Sequence, residues 1–436
     1  MSGTSAPMLL LRGGRILDPS QQLDEVGDVL ISRGCVEAVG RLGEVRRDGN
    51  ELETIDCAGR VISPGFVDVH CHLREPGREE VETIASGARA AAAGGFTAVC
   101  AMPNTDPVTD NQAAVGFILS QARRAAAARV YPIGAISIGE KGETLAEFGE
   151  MVGAGAVAVS DDGKPVVSAQ LMRTALEYAR TFGIPVADHC EAPTLAAGGA
   201  MNEGLTSARL GLRGIPAEAE EIMAIRDMLL ARLTGGHIHL CHMSTRGSVD
   251  LIRWGKERGI NVTAEVCPHH LSLTEEAVEG YDTNAKMNPP LRTLADVEAL
   301  QAGVKDGTID VIATDHAPHH YDEKEREFAD APNGIIGLET ALAVNLTWLV
   351  HSGIIGLPLL VERMSCAPAR LFKLPGGTLR PGAIGDITVF DPDAVWTVDP
   401  SRFASKGRNT PYAGRELRGL VELTVVDGRV IHRRSS

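Results

Sequence analysis

The chain has 436 residues, 44% of them hydrophobic, which is enough for one large domain and a smaller one with a sizeable core. The net charge of −15 and the scattered basic residues argue against nucleic acids and anionic membranes as partners and favour a small molecule. The sequence shows no leader pattern and no apolar run of the roughly 18 residues that a spanning helix needs. We therefore expect a cytoplasmic protein.

Short alternating strands, broken by Gly, Asp and Pro, occupy both ends of the chain. Residues 8–62 and 376–436 show this pattern, which is typical of a small β-sandwich. We predict that residues 1–62 and 367–436 together form one β-sandwich domain beside the central part of the chain.

The central residues, 63–366, alternate between short apolar runs and Ala-, Leu-, Glu- and Arg-rich stretches of helical character. Predicted helices include residues 79–93, 110–128 and 169–182. Eight apolar runs are predicted strands: "GFVDVHCHL", "FTAVCAMPN", "RVYPIGAIS", "AVAVSDDG", "PVADHCE", "HIHLCHMST", "NVTAEVCPHH" and "DVIATDHAPH". Eight βα units over roughly 300 residues predict an α/β fold, a (β/α)₈ TIM barrel. The charged segment 316–334 follows the eighth strand and has the length of a lid or binding loop.

Polar residues follow most of the predicted strands, at the barrel end where active sites are assembled. In chain order they are His70, His72, Asn104, Asp161, Asp162, His189, His242, Asn288, Asp315 and His316. Positions i and i+2 of a strand share a face, so His70 and His72 can direct both imidazoles at one metal ion. Imidazole and carboxylate ligands suit Zn²⁺ best among the common ions.

The ligands are too many for one tetrahedral zinc ion that keeps a position open for water, so two ions are predicted. The predicted ligands of the first ion are His70, His72 and Asp315, and those of the second are His189 and His242. A carboxylate from the fourth strand, Asp161 or Asp162, would bridge the ions together with a hydroxide. Lys164 lies two residues beyond these acids, already in a loop, which disfavours a carbamylated lysine as the bridge.

Three cysteines, Cys71, Cys190 and Cys241, adjoin histidines, and strand alternation predicts that each faces away from what its histidine faces. All eight cysteines occur without a C-x-x-C pair, which predicts reduced thiols.

Arg74 lies two positions beyond His72, on the same predicted face. Its planar guanidinium suits a bidentate pair with a carboxylate, so we predict that it binds substrate. Asn104, Asn288 and His319 can donate hydrogen bonds to substrate without adding negative charge.

Taken together, these motifs closely resemble the bacterial dihydroorotases of the cyclic amidohydrolase family, in the longer type with a β domain beside the barrel. The matching stretches are "PGFVDVHCHLREPG", "MPNT", "SDDG", "HCE", "HLCHMST", "CPHHL", "KMNPPLR", "ATDHAPH" and "GLET". The resemblance implies two Zn²⁺ per subunit with one bridging hydroxide. It also implies that Asp162 is the bridging acid and that Asp315 is both a ligand and the catalytic proton shuttle.

The same resemblance implies a set of substrate-binding residues: His72, Arg74, Asn104, Asn288, His319, Asn333 and Gly334. Two positions depart from the family pattern. Asp188 precedes "HCE", where a small apolar residue is usual, and its side chain should point away from the metals. Asn333 stands where Phe is more usual.

The implied reaction is the reversible cyclisation of N-carbamoyl-L-aspartate to L-dihydroorotate and water, in pyrimidine synthesis. Arg74 and an acid in place of a bridging lysine disfavour hydantoin, dihydropyrimidine or allantoin as substrate. The complete ligand set disfavours the other alternative, a non-catalytic partner of aspartate transcarbamoylase. A homo-oligomer and a catalytic complex with that enzyme both stay open.

Overall fold

The computed structural model describes residues 8–45 and 52–434; the parts of the predicted β domain at residues 1–7, 46–51 and 435–436 lie outside the described residues. The described strands are β1 (Met8–Asp18), β2 (Leu23–Ser32), β3 (Cys35–Gly40), β4 (Leu52–Asp56), β5 (Val61–Pro64), β6 (Phe66–Cys71), β7 (Phe96–Ala101), β8 (Arg129–Ala135), β9 (Ala158–Ser160), β10 (Val186–Asp188), β11 (Met201–Asn202), β12 (Gly214–Ile215), β13 (Ile238–Leu240), β14 (Val262–Val266), β15 (Val311–Ile312), β16 (Ile387–Thr397), β17 (Glu416–Val426) and β18 (Arg429–Arg433).

The described α-helices are α1 (Ile84–Ala93), α2 (Gln112–Ala125), α3 (Phe148–Ala154), α4 (Ala169–Phe182), α5 (Pro193–Ala196), α6 (Leu205–Leu210), α7 (Glu218–Thr234), α8 (Arg246–Glu257), α9 (Leu294–Asp306), α10 (Tyr321–Lys324), α11 (Ala341–Asn345), α12 (Leu357–Val361) and α13 (Ala367–Leu371). In the described ranges, none of the helices has the length and apolar character needed to cross a membrane.

Eight parallel strands form the barrel, in the order β6-β7-β8-β9-β10-β13-β14-β15. Its first and last strands meet at their C-terminal ends, where Asp315 N donates to His70 O over 3.0 Å and His72 N donates to His316 O over 2.8 Å. The buried Asp68 carboxylate adds a link between the same strands, because it accepts from Thr314 N at 2.9 Å and from Thr314 Oγ1 at 2.6 Å. The predicted barrel is therefore confirmed, and its closure brings the ends of β6 and β15 side by side.

Local capping explains where the barrel helices begin. Helix α4 occupies the predicted residues, with Ser168 as N-cap and Gly183 in the left-handed region at its end. Helix α1 is shorter than predicted because Thr83 forms a capping box with Ser86. The Glu75 carboxylate also accepts from the Ile84 backbone N–H at 2.8 Å, so it serves the start of this helix.

Both ends of the chain contribute to a second sheet, ordered β18-β17-β16-β5-β1-β2-β3 with β4 beside β1. Strand β5 joins the two ends, because it pairs in parallel with β1 and antiparallel with β16. Leu11, Ile31, Ile387 and Val425 share one buried core in this sheet. The predicted β domain built from both chain ends is thus present, and its exact boundaries stay a prediction.

Candidate metal centre and active site

His70 and His72, at the end of β6, direct their rings at one carboxylate. His70 Nε2 lies 3.4 Å from Asp162 Oδ1, and His72 Nε2 lies 3.4 Å from Asp162 Oδ2. All three side chains are buried. They form a group whose ligand atoms lie within 4.8 Å of one another, as a shared metal ion requires.

His189 and His242 form a second group with the same carboxylate. His189 Nδ1 lies 2.9 Å from His242 Nε2, and these atoms lie 3.9 and 3.5 Å from Asp162 Oδ1. Asp162 therefore belongs to both candidate ligand groups, which is the geometry expected of a bridging acid.

The neighbouring acid, Asp161, makes contacts away from the histidines. Its carboxylate accepts from Ile136 N at 2.8 Å, from Ser137 N at 3.0 Å and from the Ser137 hydroxyl, so it fixes the end of β8. The Lys164 side chain is 61% exposed and lies 3.3 Å from Glu140 Oε2. Of the three residues that the sequence offered as a bridge, only Asp162 faces the histidines.

Asp315 lies beside the first group, with Oδ1 3.1 Å from His72 Nε2 and 3.6 Å from His70 Nε2. Burial alone would raise the pKa of Asp315, but the hydrogen bond with His72 and the charges of the surrounding histidines hold that pKa below its ordinary value. Burial would also raise the pKa of Asp162. The neighbouring His70 and His242 outweigh this effect, so the pKa of Asp162 lies well below its usual range. Both carboxylates are therefore available as anionic ligands.

Unpartnered polar atoms test whether this cluster fits metal ions. His70 Nε2 and Asp162 Oδ1, which lie 3.4 Å apart, are buried and have no hydrogen-bond partner among the described residues. A buried polar atom without a partner costs free energy, and imidazole nitrogen and carboxylate oxygen are the ligands that zinc prefers. The donor set therefore fits divalent metal ions.

Glu265, a buried acid in β14, contacts the candidate ligands although it is not among the predicted site residues. Its Oε1 lies 2.5 Å from His70 Nδ1 and accepts from His242 N at 3.1 Å, and its Oε2 lies 3.1 Å from His239 Nε2. Burial would raise the pKa of Glu265, but His70 and His239 lower it to about 2. An ionised acid on Nδ1 leaves the Nε2 lone pair of His70 free for a metal. The available signal was a single acid within a predicted buried strand.

Cys241 departs from the predicted alternation. Its sulfur and the ligand atoms of His70 and Glu265 lie within 4.8 Å of one another, while the His242 ring centroid lies 5.1 Å from that of His70. Both neighbours thus approach His70. Strand β13 ends at Leu240 and His242 has a φ of 38°, so the period of two does not extend to these residues. Asp188 is buried with its carboxylate 3.8 Å from Arg226, and it is grouped with Cys190 and Asp227 rather than with the two ligand groups that share Asp162.

A cavity of about 220 Å³ opens over the ligand groups. Its lining includes all the predicted substrate-binding residues: His72, Arg74, Asn104, Asn288, His319, Asn333 and Gly334. Besides His72, four further predicted metal ligands line it: Asp162, His189, His242 and Asp315. Arg74 reaches this cavity from a loop and not from the strand, because β6 ends at Cys71 and Arg74 has a φ of 59°. Its Nε donates to Pro318 O over 3.2 Å, and burial lowers the pKa of Arg74 to about 10, so it stays cationic at neutral pH.

The neutral groups of the cavity are oriented by their neighbours. Asn104 Oδ1 accepts from His72 Nδ1 at 2.9 Å, so the Asn104 amide N–H groups remain free to donate. Asn288 Nδ2 donates to Glu191 Oε1 over 2.9 Å. His319 Nε2 donates to the Asn333 carbonyl over 2.7 Å, so a substrate carboxylate would compete for this N–H. The Asn333 side chain is exposed and the contact is made by its backbone, so the contact itself does not depend on the residue type at this position.

The closed parallel barrel, with two buried His/Asp groups that share a carboxylate at its C-terminal end, defines a metal-dependent hydrolase of the cyclic amidohydrolase class. The L-hydantoinase (dihydropyrimidinase) of Arthrobacter aurescens superposes with a TM-score of 0.86 at 26% identity, over 98% of this chain and 96% of that chain. The dihydropyrimidinase of Brevibacillus agri shares the fold, with a TM-score of 0.83 at 23% identity, over 98% of this chain and 95% of that chain.

Sequence comparisons identify the family within this class of hydrolases. A family model described as dihydro-orotase-like matches residues 59–248. The dihydroorotase of Geobacter metallireducens is 52% identical over 98% of this chain and 100% of its own length, and that of Pelobacter propionicus is 54% identical over the same shares. The chain belongs to the dihydroorotase family.

Proposed function

We propose that this protein catalyses the reversible interconversion of N-carbamoyl-L-aspartate and L-dihydroorotate plus water, the reaction of the family in pyrimidine synthesis. The observation that supports this best is the position of Arg74, a half-buried cation that lines the same cavity as the shared Asp162. A carboxylate-bearing ring compound uses such a cation, whereas hydantoin and dihydrouracil offer it no carboxylate. The naming of full-length relatives as dihydroorotases supports the same choice.

We propose that two divalent ions, zinc by the chemistry of the donors, bind to each chain. His70, His72 and Asp315 would hold one ion, and His189 and His242 the other, with Asp162 shared. When bound, such ions polarise a carbonyl and lower the pKa of a water molecule to near 7. The ionised Glu265 holds the His70 ring through Nδ1, so that Nε2 is directed at Asp162 and would be free to bind an ion.

Asp315 moves the proton in this proposal. In hydrolysis, its carboxylate takes the proton that the attacking water loses and delivers it to the ring nitrogen when the amide C–N bond breaks. In cyclisation, the same carboxyl group accepts the proton of the attacking ureido nitrogen and returns it to the departing oxygen. Its depressed pKa keeps Asp315 ionised, and so able to accept the proton, at neutral pH.

Arg74, Asn104 and His319 would bind the carboxylate that both compounds share. Asn288 and the backbone of Asn333 and Gly334 line the same cavity and would orient the rest of the ring. Several fixed contacts to the non-reacting part of the substrate hold the amide over the ligand groups, which lowers the entropy cost of reaching the transition state.

An assay on the purified protein, with its metal content measured, tests the proposal. Hydrolysis of L-dihydroorotate is followed beside that of hydantoin and dihydrouracil under the same conditions. We expect turnover of dihydroorotate with two bound ions, while turnover of hydantoin and dihydrouracil alone would overturn the substrate assignment.

Self-association and a complex with aspartate transcarbamoylase follow from no contact described above; light scattering and co-purification test them. A cytoplasmic location stays a prediction.

A further inference from the structure

The loop of residues 317–334 supplies three predicted substrate-binding residues, yet its only regular element is the short helix α10. His319 lies near one end of this loop, and Asn333 and Gly334 form the other. An irregular segment of this length loses much conformational entropy when it is fixed. Side-chain contacts to its backbone must therefore hold the loop if its ends are to bind substrate in one geometry.

Asn409, from the segment between β16 and β17, joins the two ends of the loop. Its Oδ1 accepts from His319 N at 3.1 Å, and its Nδ2 donates to Ala317 O over 2.9 Å and to Gly334 O over 3.0 Å. The residue is only 3% exposed. Its oxygen and both N–H groups are thus used on the backbone next to the cavity.

Two buried lysines hold the middle of the loop. Lys286 Nζ donates to Ala329 O over 2.8 Å and to Ala331 O over 2.7 Å. Lys324 Nζ donates to Pro332 O over 2.8 Å and to Lys286 O over 3.3 Å. All four acceptors are backbone carbonyls, and two of them precede Asn333 directly in the chain.

The environment of these lysines is costly. Burial and the neighbouring Lys286 lower the pKa of Lys324 to about 7, and burial lowers that of Lys286. Amines without a carboxylate partner are rarely buried, so contacts to the loop must offset the cost. The backbone of Lys286 takes part too, because its carbonyl accepts from Gly334 N at 2.9 Å.

Gly334 shows how closely the loop end is fitted. Its φ is 122°, and an added Cβ would lie 2.6 Å from the Ala317 Cβ. The loop end therefore packs directly against the loop start, where Asn409 joins them.

We propose that Asn409, Lys286 and Lys324 are positioning residues that keep the loop in its substrate-binding geometry before substrate arrives. The inference rests on the proposed function, because it assumes that His319, Asn333 and Gly334 contact substrate. None of the three positioning residues touches the reacting atoms. They act by reducing the ordering cost of binding, so their loss should weaken binding more than chemistry.

The first test compares Asn409→Ala and Lys324→Met with the wild type and with the control Asn345→Ala. Asn345 is also buried, and its amide donates to Ala341 O over 2.9 Å, away from the cavity. We expect both loop variants to keep two metal ions and a near-normal kcat while the KM for dihydroorotate rises about tenfold or more. An unchanged KM in both variants, or an equal rise in the control, would overturn the proposal.

A second test measures the loop without substrate. Arg326 is an exposed trypsin site inside it, and mass spectrometry reports cleavage after this residue. We expect cleavage to be at least several-fold faster in Asn409→Ala and Lys324→Met than in the wild type and Asn345→Ala. Equal cleavage rates would overturn the positioning role of Asn409 and Lys324 even if the enzyme turns over dihydroorotate. Faster cleavage of the two variants, in an enzyme that hydrolyses only hydantoin, would instead overturn the proposed substrate and support the positioning role of these residues.

Discussion

The strand ends and the loop of residues 317–334 build the two halves of the cavity in different ways. His70, at the end of β6, is positioned by the hydrogen bonds of the barrel and by one buried acid. His319 and Gly334 are positioned by Asn409, which lies 90 and 75 residues away in the chain. The metal-binding half therefore follows from the barrel itself, whereas the substrate-binding half depends on long-range polar contacts.

The largest expected effect concerns Asp315, which belongs to the strand-end half. Asp315→Asn keeps the shape of the side chain but removes the proton acceptor, so kcat should fall about 1,000-fold. The initial rate at saturating dihydroorotate, with metal content measured in parallel, checks this. A variant that keeps both ions and more than a tenth of the wild-type kcat would exclude Asp315 as the proton shuttle.

Arg74 tests the substrate-binding half. Arg74→Met should raise the KM for dihydroorotate about 100-fold, because a charge-assisted pair with the substrate carboxylate is lost from the cavity, while both ions stay bound. Lys164→Met is the matched control: it also removes a cation, two residues beyond Asp162 in the chain, but from an exposed side chain that pairs with Glu140. An unchanged KM in Arg74→Met, or the same rise in the control, would remove Arg74 from substrate binding.

The contrast between the halves also explains what the sequence could predict. Strand alternation correctly places His70 and His72 on one face, and βα periodicity predicts the barrel. Alternation still holds for His72, one residue past the end of β6, but it fails for Cys241 and His242 past the end of β13, where both approach His70. Residue chemistry alone does not separate Asp161 from Asp162, since the choice depends on which acid meets the N–H groups at the end of β8.

The roles of residues that act through long-range contacts are harder to predict from the sequence. Asn409 lies in a stretch that sequence analysis assigned to the β domain, and nothing local indicates that it reaches the barrel loops. The Lys286 ammonium belongs to the quoted "KMNPPLR" motif, but its role appears only when the loop carbonyls are in place. Contacts between segments distant in the chain are set by tertiary packing, which periodicity does not report.

A smaller effect is expected for Glu265, which supports a ligand without binding metal in this account. Glu265→Gln should weaken metal affinity about 10- to 100-fold, because the His70 ring loses its anionic partner. Competition with a chelator measures this. Glu275→Gln provides the control, since Glu275 is also buried but binds Asn202 and Thr206. Equal metal affinity in the two variants would show that Glu265 does not tune the site.

The metal content of Asp162→Asn and Asp161→Asn tests the central claim most directly, because adjacent acids differ only in which one joins the two ligand groups. The wild type and Asp161→Asn should each bind two ions per chain, and Asp162→Asn at most one. Two ions in Asp162→Asn, or loss of metal in Asp161→Asn alone, would contradict a site built around a shared Asp162.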